Sequence, residues 1–590
     1  MRNKILSGLN FLIILLLLFL EYAWFKRLSA IYATLSAIML FALVGIRIFC
    51  GWEKIRAFVN RLFSKIKTFV DQNRVYTAAL AGLFLVIIVI GLPAVVYVER
   101  AMDADEAVEG IMGMHIYQGI ERPITIYKMP INLTLKSHLA ALFFTITGVS
   151  AKTLRAVDLL FYLCTIVLLY FLSLRIFGKS AAIITLFFFS MPNSYFYYMG
   201  LLRTGEYIEV LFFGTALLLL TRRYLTAPQP ENQEIPVYLF SLIGFLYGIG
   251  FSTQALVLAF IVPTLIVLFL KDIKYFFSKI LGRLVVFSFI GSFPLFIYNI
   301  KTNGATLAFL MHPPRVPPPM SLLEKGKIVI SNIFFAFGNV NATVYNHELK
   351  ITGPFQWIVV SVLLGLSFIS LLFFVWNKRK AIMRWIKRDP EDENILTYIL
   401  LILVIIITIL LGLRPARPGL NPRYMTPLFA ALPLILAWWL ARFQGKVKYL
   451  FLLLIFINNS ASILNNLSYL RGKDIERATL ISKLDEMGIK YLRTGYWRAY
   501  PITFLTGERI IASGSFGGSS QFARRGDQVG FERHEPYKAQ FFAAMDEHPE
   551  QSAYLFGSRY FERKLIRSLK RPFTRTAVAG YRIYSFNKNR

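Results

Sequence analysis

Thirteen apolar runs recur along the 590 residues of this chain, near 5–23, 30–50, 76–98, 153–175, 182–200, 205–221, 237–252, 254–270, 284–300, 355–376, 395–413, 424–441 and 449–467. About twenty apolar residues are what an α-helix needs to cross a bilayer. Hydrocarbon offers no water to backbone amides and carbonyls, so each such run must bond to itself as a helix. The fold class that follows is a polytopic α-helical membrane protein with about thirteen transmembrane helices. A mean hydropathy of +0.55 and only 17% charged residues agree, since soluble domains carry about 25%.

A net charge of +32 would suggest nucleic acid in a soluble chain. Here the Lys and Arg crowd into alternate connections: Lys54 to Arg74, Arg175 and Lys179, Arg222 and Arg223, Lys271 to Arg283, Lys378 to Arg388, and Arg442 to Lys448. Positive loops stay in the cytoplasm, so the charge sets orientation and no nucleic-acid partner is expected. The N-terminus is then cytoplasmic, in the inner or plasma membrane, and the segments 99–152, 301–354, 414–423 and the tail from Ser468 lie outside. The opening Met-Arg-Asn-Lys and its apolar run lack a small-residue cleavage site and read as a retained signal anchor. Cys50 and Cys164 both sit in apolar runs, which leaves neither a disulfide framework nor a Cys-based metal site.

Among the outer segments, Ser137 to Gly148 is too short to span and reads as an amphipathic surface helix. Met311 to Met320 is Pro-rich and therefore extended, while Ile328 to Phe337 reads as a surface or re-entrant helix. The tail from Ser468 to Arg590 has the size of a small soluble domain. It shows helical periodicity from Asp474 to a Gly488 stop, strand-like runs at 509–512 and 582–586, and a helical stretch at 538–545, which together suggest an α/β fold. Three domains are expected: a two-helix addition with a basic loop (1–75), a transmembrane catalytic domain (76–467) and a soluble extracytoplasmic domain (468–590).

The chemistry concentrates in Glu99-Arg-Ala-Met-Asp103-Ala-Asp105-Glu106-Ala-Val-Glu109, at the mouth of the third span. Carboxylates there are costly unless they face a wet, protein-lined cavity, so they mark function by default. Asp103 can also cap a helix, with Glu106 completing a capping box and Glu109 solvated.

Asp103-Ala-Asp105-Glu106-Ala, with Met112-Gly-Met-His115 and Gly119-Ile-Glu-Arg-Pro123, resembles the first outer loop of the GT-C glycosyltransferases, in particular protein O-mannosyltransferases and the lipid A aminoarabinose transferase. Val149 to Gly178, Pro294-Leu-Phe-Ile-Tyr-Asn299 with Asn303-Gly304, and Pro422-Arg423-Tyr424-Met-Thr-Pro427-Leu agree in order, so the likeness spans about 95–470. The two helices before residue 76 look like an addition to an eleven-span core. No Trp-Trp-Asp-Tyr-Gly signature is present, which argues against an oligosaccharyltransferase.

The resemblance implies inverting transfer of one sugar from a polyprenyl-phosphate carrier, the donor substrate, to a lipid, glycan or protein acceptor at the outer membrane surface. Asp105 matches the family's acidic catalytic position and is the expected base, with Glu106 positioning the acceptor or a metal. Asp103 and Asp105 form an Asp-x-Asp that could hold Mg²⁺ or Mn²⁺, with His115 as a further candidate ligand. For the donor phosphate the chain offers Arg203, Arg414, Arg417, Arg423 and the neighbouring Tyr424, since the guanidinium fork suits phosphate oxygens. Glu109, Glu206, Glu209 and Asn299 are candidates for an acceptor groove. The competing function is a transporter or flippase of a lipid-linked sugar, and a third is an assembly factor that keeps only the fold. Against the transporter stand the lack of an internal repeat and the gathering of charge on one face.

Overall fold

The computed structural model describes residues 64, 74–96, 102–202, 206–226, 238–311, 320–337, 354–386, 394–413, 422–443, 445–514, 532–556 and 572–586. Residues 83–590 form one compact unit. Of the other unit, residues 1–82, only 64 and 74–82 are described, so the expected spans at 5–23 and 30–50 lie outside the described residues.

The described helices are α1 (Arg74–Val96), α2 (Ala104–Gln118), α3 (Leu135–Thr147), α4 (Ala151–Phe177), α5 (Lys179–Ser190), α6 (Tyr207–Leu225), α7 (Tyr238–Thr253), α8 (Leu258–Lys271), α9 (Leu281–Lys301), α10 (Leu322–Phe337), α11 (Pro354–Ile386), α12 (Ile395–Gly412), α13 (Leu432–Leu440), α14 (Lys446–Glu486), α15 (Tyr496–Leu505) and α16 (Glu535–Glu547), with shorter helical pieces between some of them. Among the described residues, four helical stretches, α1, α4, Ile273–Lys301 and α12, are long and apolar enough to cross a membrane. The 3₁₀ segment Pro422–Ala430 and α13 make a fifth candidate, bent by 46°. Other expected spans are present as shorter apolar helices, among them α5 and α7.

Breaks have local causes. The run expected at 182–200 stops at Ser190, because Pro192 has no amide to continue it; the chain restarts at Ser194, where Asn193 Oδ1 accepts the Phe196 amide at 2.8 Å. Between α7 and α9 the backbones touch: a Cβ added at Gly248 would lie 2.0 Å from the Ser288 carbonyl oxygen. Small residues permit such approach where apolar lipid supplies no hydrophobic drive to bring helices together.

Two of the segments between the expected spans form helices, as their sequence suggested. Ser137 to Gly148 lies in α3, which buries Ala140, Ala141 and Phe144 and exposes Leu142 and Ile146. The run at 328–337 is the second half of α10. Most of the Pro-rich stretch, 312–319, lies outside the described residues.

The C-terminal part is a five-stranded mixed sheet, β1 (Tyr491–Arg493), β2 (Ile511–Ser513), β3 (Ser552–Phe556), β4 (Phe573–Val578) and β5 (Tyr581–Phe586), in the order β2-β1-β3-β5-β4. β1 runs parallel to β2 and β3, whereas β5 is antiparallel to β3 and β4. Phe541 of α16 packs into a core of Tyr554, Phe556, Tyr584 and Phe586. The boundary expected at Ser468 falls inside α14, which runs unbroken for 41 residues and ends before Gly488 at φ 65°.

Candidate active site

Asp103 caps α2: its Oδ1 accepts the amides of Asp105 at 2.7 Å and Glu106 at 3.4 Å. Both carboxylates of Asp105 and Glu106 therefore ride in the first turn, where the helix dipole favours negative charge. The reciprocal half of the capping box is absent. Glu106 turns inward instead and is fully buried.

Its partner is Arg155 of α4, also fully buried, whose Nε donates to Glu106 Oε1 at 2.5 Å and whose second amino group donates to Oε2. Arg155 lies 4.0 Å from Asp158 one turn on, and Asp158 takes the Lys136 ammonium of α3 at 2.7 Å. Lys136 in turn lies 3.4 Å from Glu109. This alternating chain of charges ties α2, α3 and α4 together. Removing charges from water costs several kcal/mol each, and only mutual pairing of this kind offsets it. Burial holds the Glu109 carboxyl above the usual carboxylate range, with Lys136 pulling the other way. Burial lowers and the carboxylates around it raise the Lys136 ammonium, which ends above its ordinary value. Glu106, expected to position the acceptor or a metal, and Glu109, expected to be solvated or to line an acceptor groove, are thus found buried in ion pairs.

Asp105 alone of the three points outward, with its side chain 35% exposed. The C-terminal domain reaches it. The Tyr496 hydroxyl donates to Asp105 Oδ1, and the Arg533 guanidinium lies 3.5 Å from the same oxygen. Arg533 also donates to the Tyr127 carbonyl at 2.8 Å. What lets α15 come so near is Gly110, because a Cβ there would stand 2.7 Å from the Phe504 ring.

The remaining expected residues divide. His115 is ten residues beyond Asp105 on α2, about 15 Å at the helical rise, so it cannot share an ion with Asp103 and Asp105. It meets Glu121 and Glu508 instead, at 2.6 and 2.8 Å. Burial lowers the His115 imidazole, but these two hydrogen-bonded carboxylates outweigh it and bring it to about 9. Glu206 and Glu209 are buried and do not line an open groove; Glu206 Oε2 accepts from Asn132 at 3.3 Å. Asn299 accepts the Leu307 amide at 3.2 Å and serves a turn, not a groove. Arg203, Arg414 and Arg417 lie outside the described residues. Arg423 and Tyr424 open the 3₁₀ segment, and a small crevice joins its Thr426 and Phe429 to Tyr195, Met199 and Tyr207 on either side of Arg203.

Sequence reading passed over Lys136, Arg155, Asp158, Tyr496 and Arg533. Arg155 and Asp158 carried a usable signal, since two opposite charges three apart in an apolar run are unlikely to face lipid. Tyr496 and Arg533 carried none, being ordinary residues of the C-terminal sheet domain brought in by the tertiary fold.

Comparison with known proteins agrees with this architecture. The family described as dolichyl-phosphate-mannose-protein mannosyltransferase matches residues 135–298. No curated protein matches the chain in sequence. Among solved structures, ArnT from Cupriavidus metallidurans bound to undecaprenyl phosphate superposes with a TM-score of 0.56 at 11% identity, over 86% of this chain and 98% of that one. Its apo state gives 0.54 at 12% identity, with the same coverage of 86% and 98%. The archaeal oligosaccharyltransferase AglB from Archaeoglobus fulgidus gives 0.44 at 13% identity, over 80% and 69%. The chain shares the membrane fold of ArnT, as the resemblance over about 95–470 implied, and carries the small C-terminal sheet domain expected from the sequence of its tail.

Proposed function

We propose that the chain is an inverting glycosyltransferase that moves one sugar from a polyprenyl-phosphate-linked donor to a lipid, glycan or protein acceptor at the outer face of the membrane. The observation that carries the proposal is the separation of roles among neighbouring carboxylates: Glu106 and Glu109 are buried in ion pairs, while Asp105 is partly exposed and oriented. Both contacts of Asp105 fall on Oδ1, which leaves Oδ2 to take the acceptor hydroxyl proton. The acceptor oxygen then attacks the anomeric carbon as the bond from that carbon to the phosphate oxygen breaks. The polyprenyl phosphate departs with the electron pair, and Arg423, with Arg203, Arg414 and Arg417, supplies positive charge to it. The match to the mannosyltransferase family over 135–298, and a fold shared with a protein solved with undecaprenyl phosphate, support the donor class.

The test is purified protein in nanodiscs with a panel of polyprenyl-phosphate sugars, scored for release of the carrier phosphate. Asp105→Asn keeps the shape and removes the base, which should cost roughly 10²–10⁴-fold in turnover with donor binding retained. Sugar that crosses the bilayer still attached to its carrier, with no acceptor modified, would make the protein a flippase. Wild-type turnover in Asp105→Asn would remove this residue from the base's role.

A further inference from the structure

His115, in the last turn of α2, Glu121, just beyond it, and His534, the residue before α16, offer ligand atoms that all lie within 4.8 Å of one another. Bonds of 2.0–2.2 Å to a first-row metal would draw these atoms closer together. The hydrogen bonding around His115, which is 3% exposed, prepares one of its nitrogens. Nε2 lies 2.8 Å from Glu508 Oε1, and Glu508 also accepts from the Tyr537 hydroxyl. With the N–H at Nε2 held there, a metal that displaces the Nδ1 proton would meet a lone pair on the side where Glu121 Oε1 lies 2.6 Å away. A carboxylate fixing the far nitrogen is the usual support for a metal-bound histidine. The His534 ring is confined between Tyr127 and Tyr537, at centroid distances of 4.9 and 4.5 Å. Charge agrees: two carboxylates facing two neutral imidazoles balance one divalent cation, whereas a single imidazolium would leave one negative charge over.

We propose that His115 Nδ1, Glu121 and His534 bind one divalent transition-metal ion, zinc before others, with Glu508 orienting His115. Two imidazole nitrogens and one carboxylate oxygen suit zinc better than the hard cations Mg²⁺ or Ca²⁺. The site is separate from Asp105, about 15 Å away along α2 at the helical rise. It joins the outer loop to the C-terminal domain, and the residue next to its His534 ligand is Arg533, which reaches Asp105.

The full-length protein in detergent, stripped with a chelator and re-equilibrated with zinc, should retain about one ion per chain by elemental mass spectrometry, with a rise in its melting temperature. His534→Gln and Glu121→Gln should each lose the ion and the temperature rise, and Glu508→Gln should bind about 10–100-fold more weakly. Cobalt in place of zinc should give the visible absorption of a low-coordinate site in wild type and not in His534→Gln. Wild type that retains no zinc, or His534→Gln that retains as much as wild type, overturns the proposal and leaves His115 as an imidazolium held between Glu121 and Glu508. None of these readings depends on sugar transfer, so the outcome is independent of the role given to Asp105.

Discussion

The hydroxyl of Tyr496 donates to Asp105 Oδ1 across 391 residues of sequence. The C-terminal sheet domain thereby sets the rotamer of the carboxylate proposed to act as base. Tyr496→Phe keeps the ring and removes this one bond, whose worth to a charged acceptor is about 1.5–3 kcal/mol. Turnover should fall by about 10–100-fold with KM for the lipid-linked donor unchanged, as measured by carrier release. An unchanged kcat would mean that the C-terminal domain only covers the site.

The Glu106–Arg155 pair is wholly buried, so breaking it strands a charge. Glu106→Gln should destabilise the protein by about 3–5 kcal/mol, whereas Glu106→Leu with Arg155→Met, which removes both charges together, should recover most of that loss. Thermal unfolding in detergent checks both. If the double variant is as unstable as the single one, Arg155 is held chiefly by its other neighbours, Asp158 and the Ala94 carbonyl.

Glu109 gives a pH dependence with a definite sign. Its folded-state pKa is raised by burial, so the folded protein holds a proton that the unfolded chain releases near pH 4.3. Stability must then fall as pH rises from about that ordinary carboxylate value towards the raised one, and level off above it. Glu109→Gln should flatten this slope, gaining on wild type progressively above about pH 4.3. Parallel melting curves for the two proteins across the range would contradict the burial-driven shift.

Gly248 tests the contact between α7 and α9. With the Ser288 carbonyl oxygen 2.0 Å from where a Cβ would stand, Gly248→Ala cannot be absorbed by a side-chain rotation and must push two backbones apart. A loss at or above the usual overpacking range of about 1–3 kcal/mol is expected, read as a lowered melting temperature. Gly282→Ala, where a Cβ meets nothing within 4 Å, should be tolerated and serves as the control.

How much of this was legible depended on the range of the interaction. The membrane helices could be read because burial in lipid demands a long local run, and Asp103 could be read as a cap because a cap acts within three residues. Gly488 was likewise readable as a stop, its conformation being a local matter. The strands β1 and β2, of three residues each, are too short to show alternation, and β3 is buried at every position, which erases the period of two. The site lost most in reading Glu106, because its partner Arg155 comes from another helix, and a capping box and a buried ion pair begin with the same letters.

The 41 residues of α14 extend about 60 Å at the helical rise, twice the roughly 30 Å of bilayer hydrocarbon. The helix is fastened near its apolar half by Asn459, whose amide donates to the Met191 carbonyl at 2.7 Å, and its far end leads directly into β1. A rod has no joint, so it acts as a lever arm. A tilt of roughly 5° about that fastening swings the far end, ~40 Å away, by about 3.5 Å, more than the length of one hydrogen bond. Any tilt of the spans about that fastening would therefore reach the C-terminal sheet domain, whose Tyr496 holds Asp105.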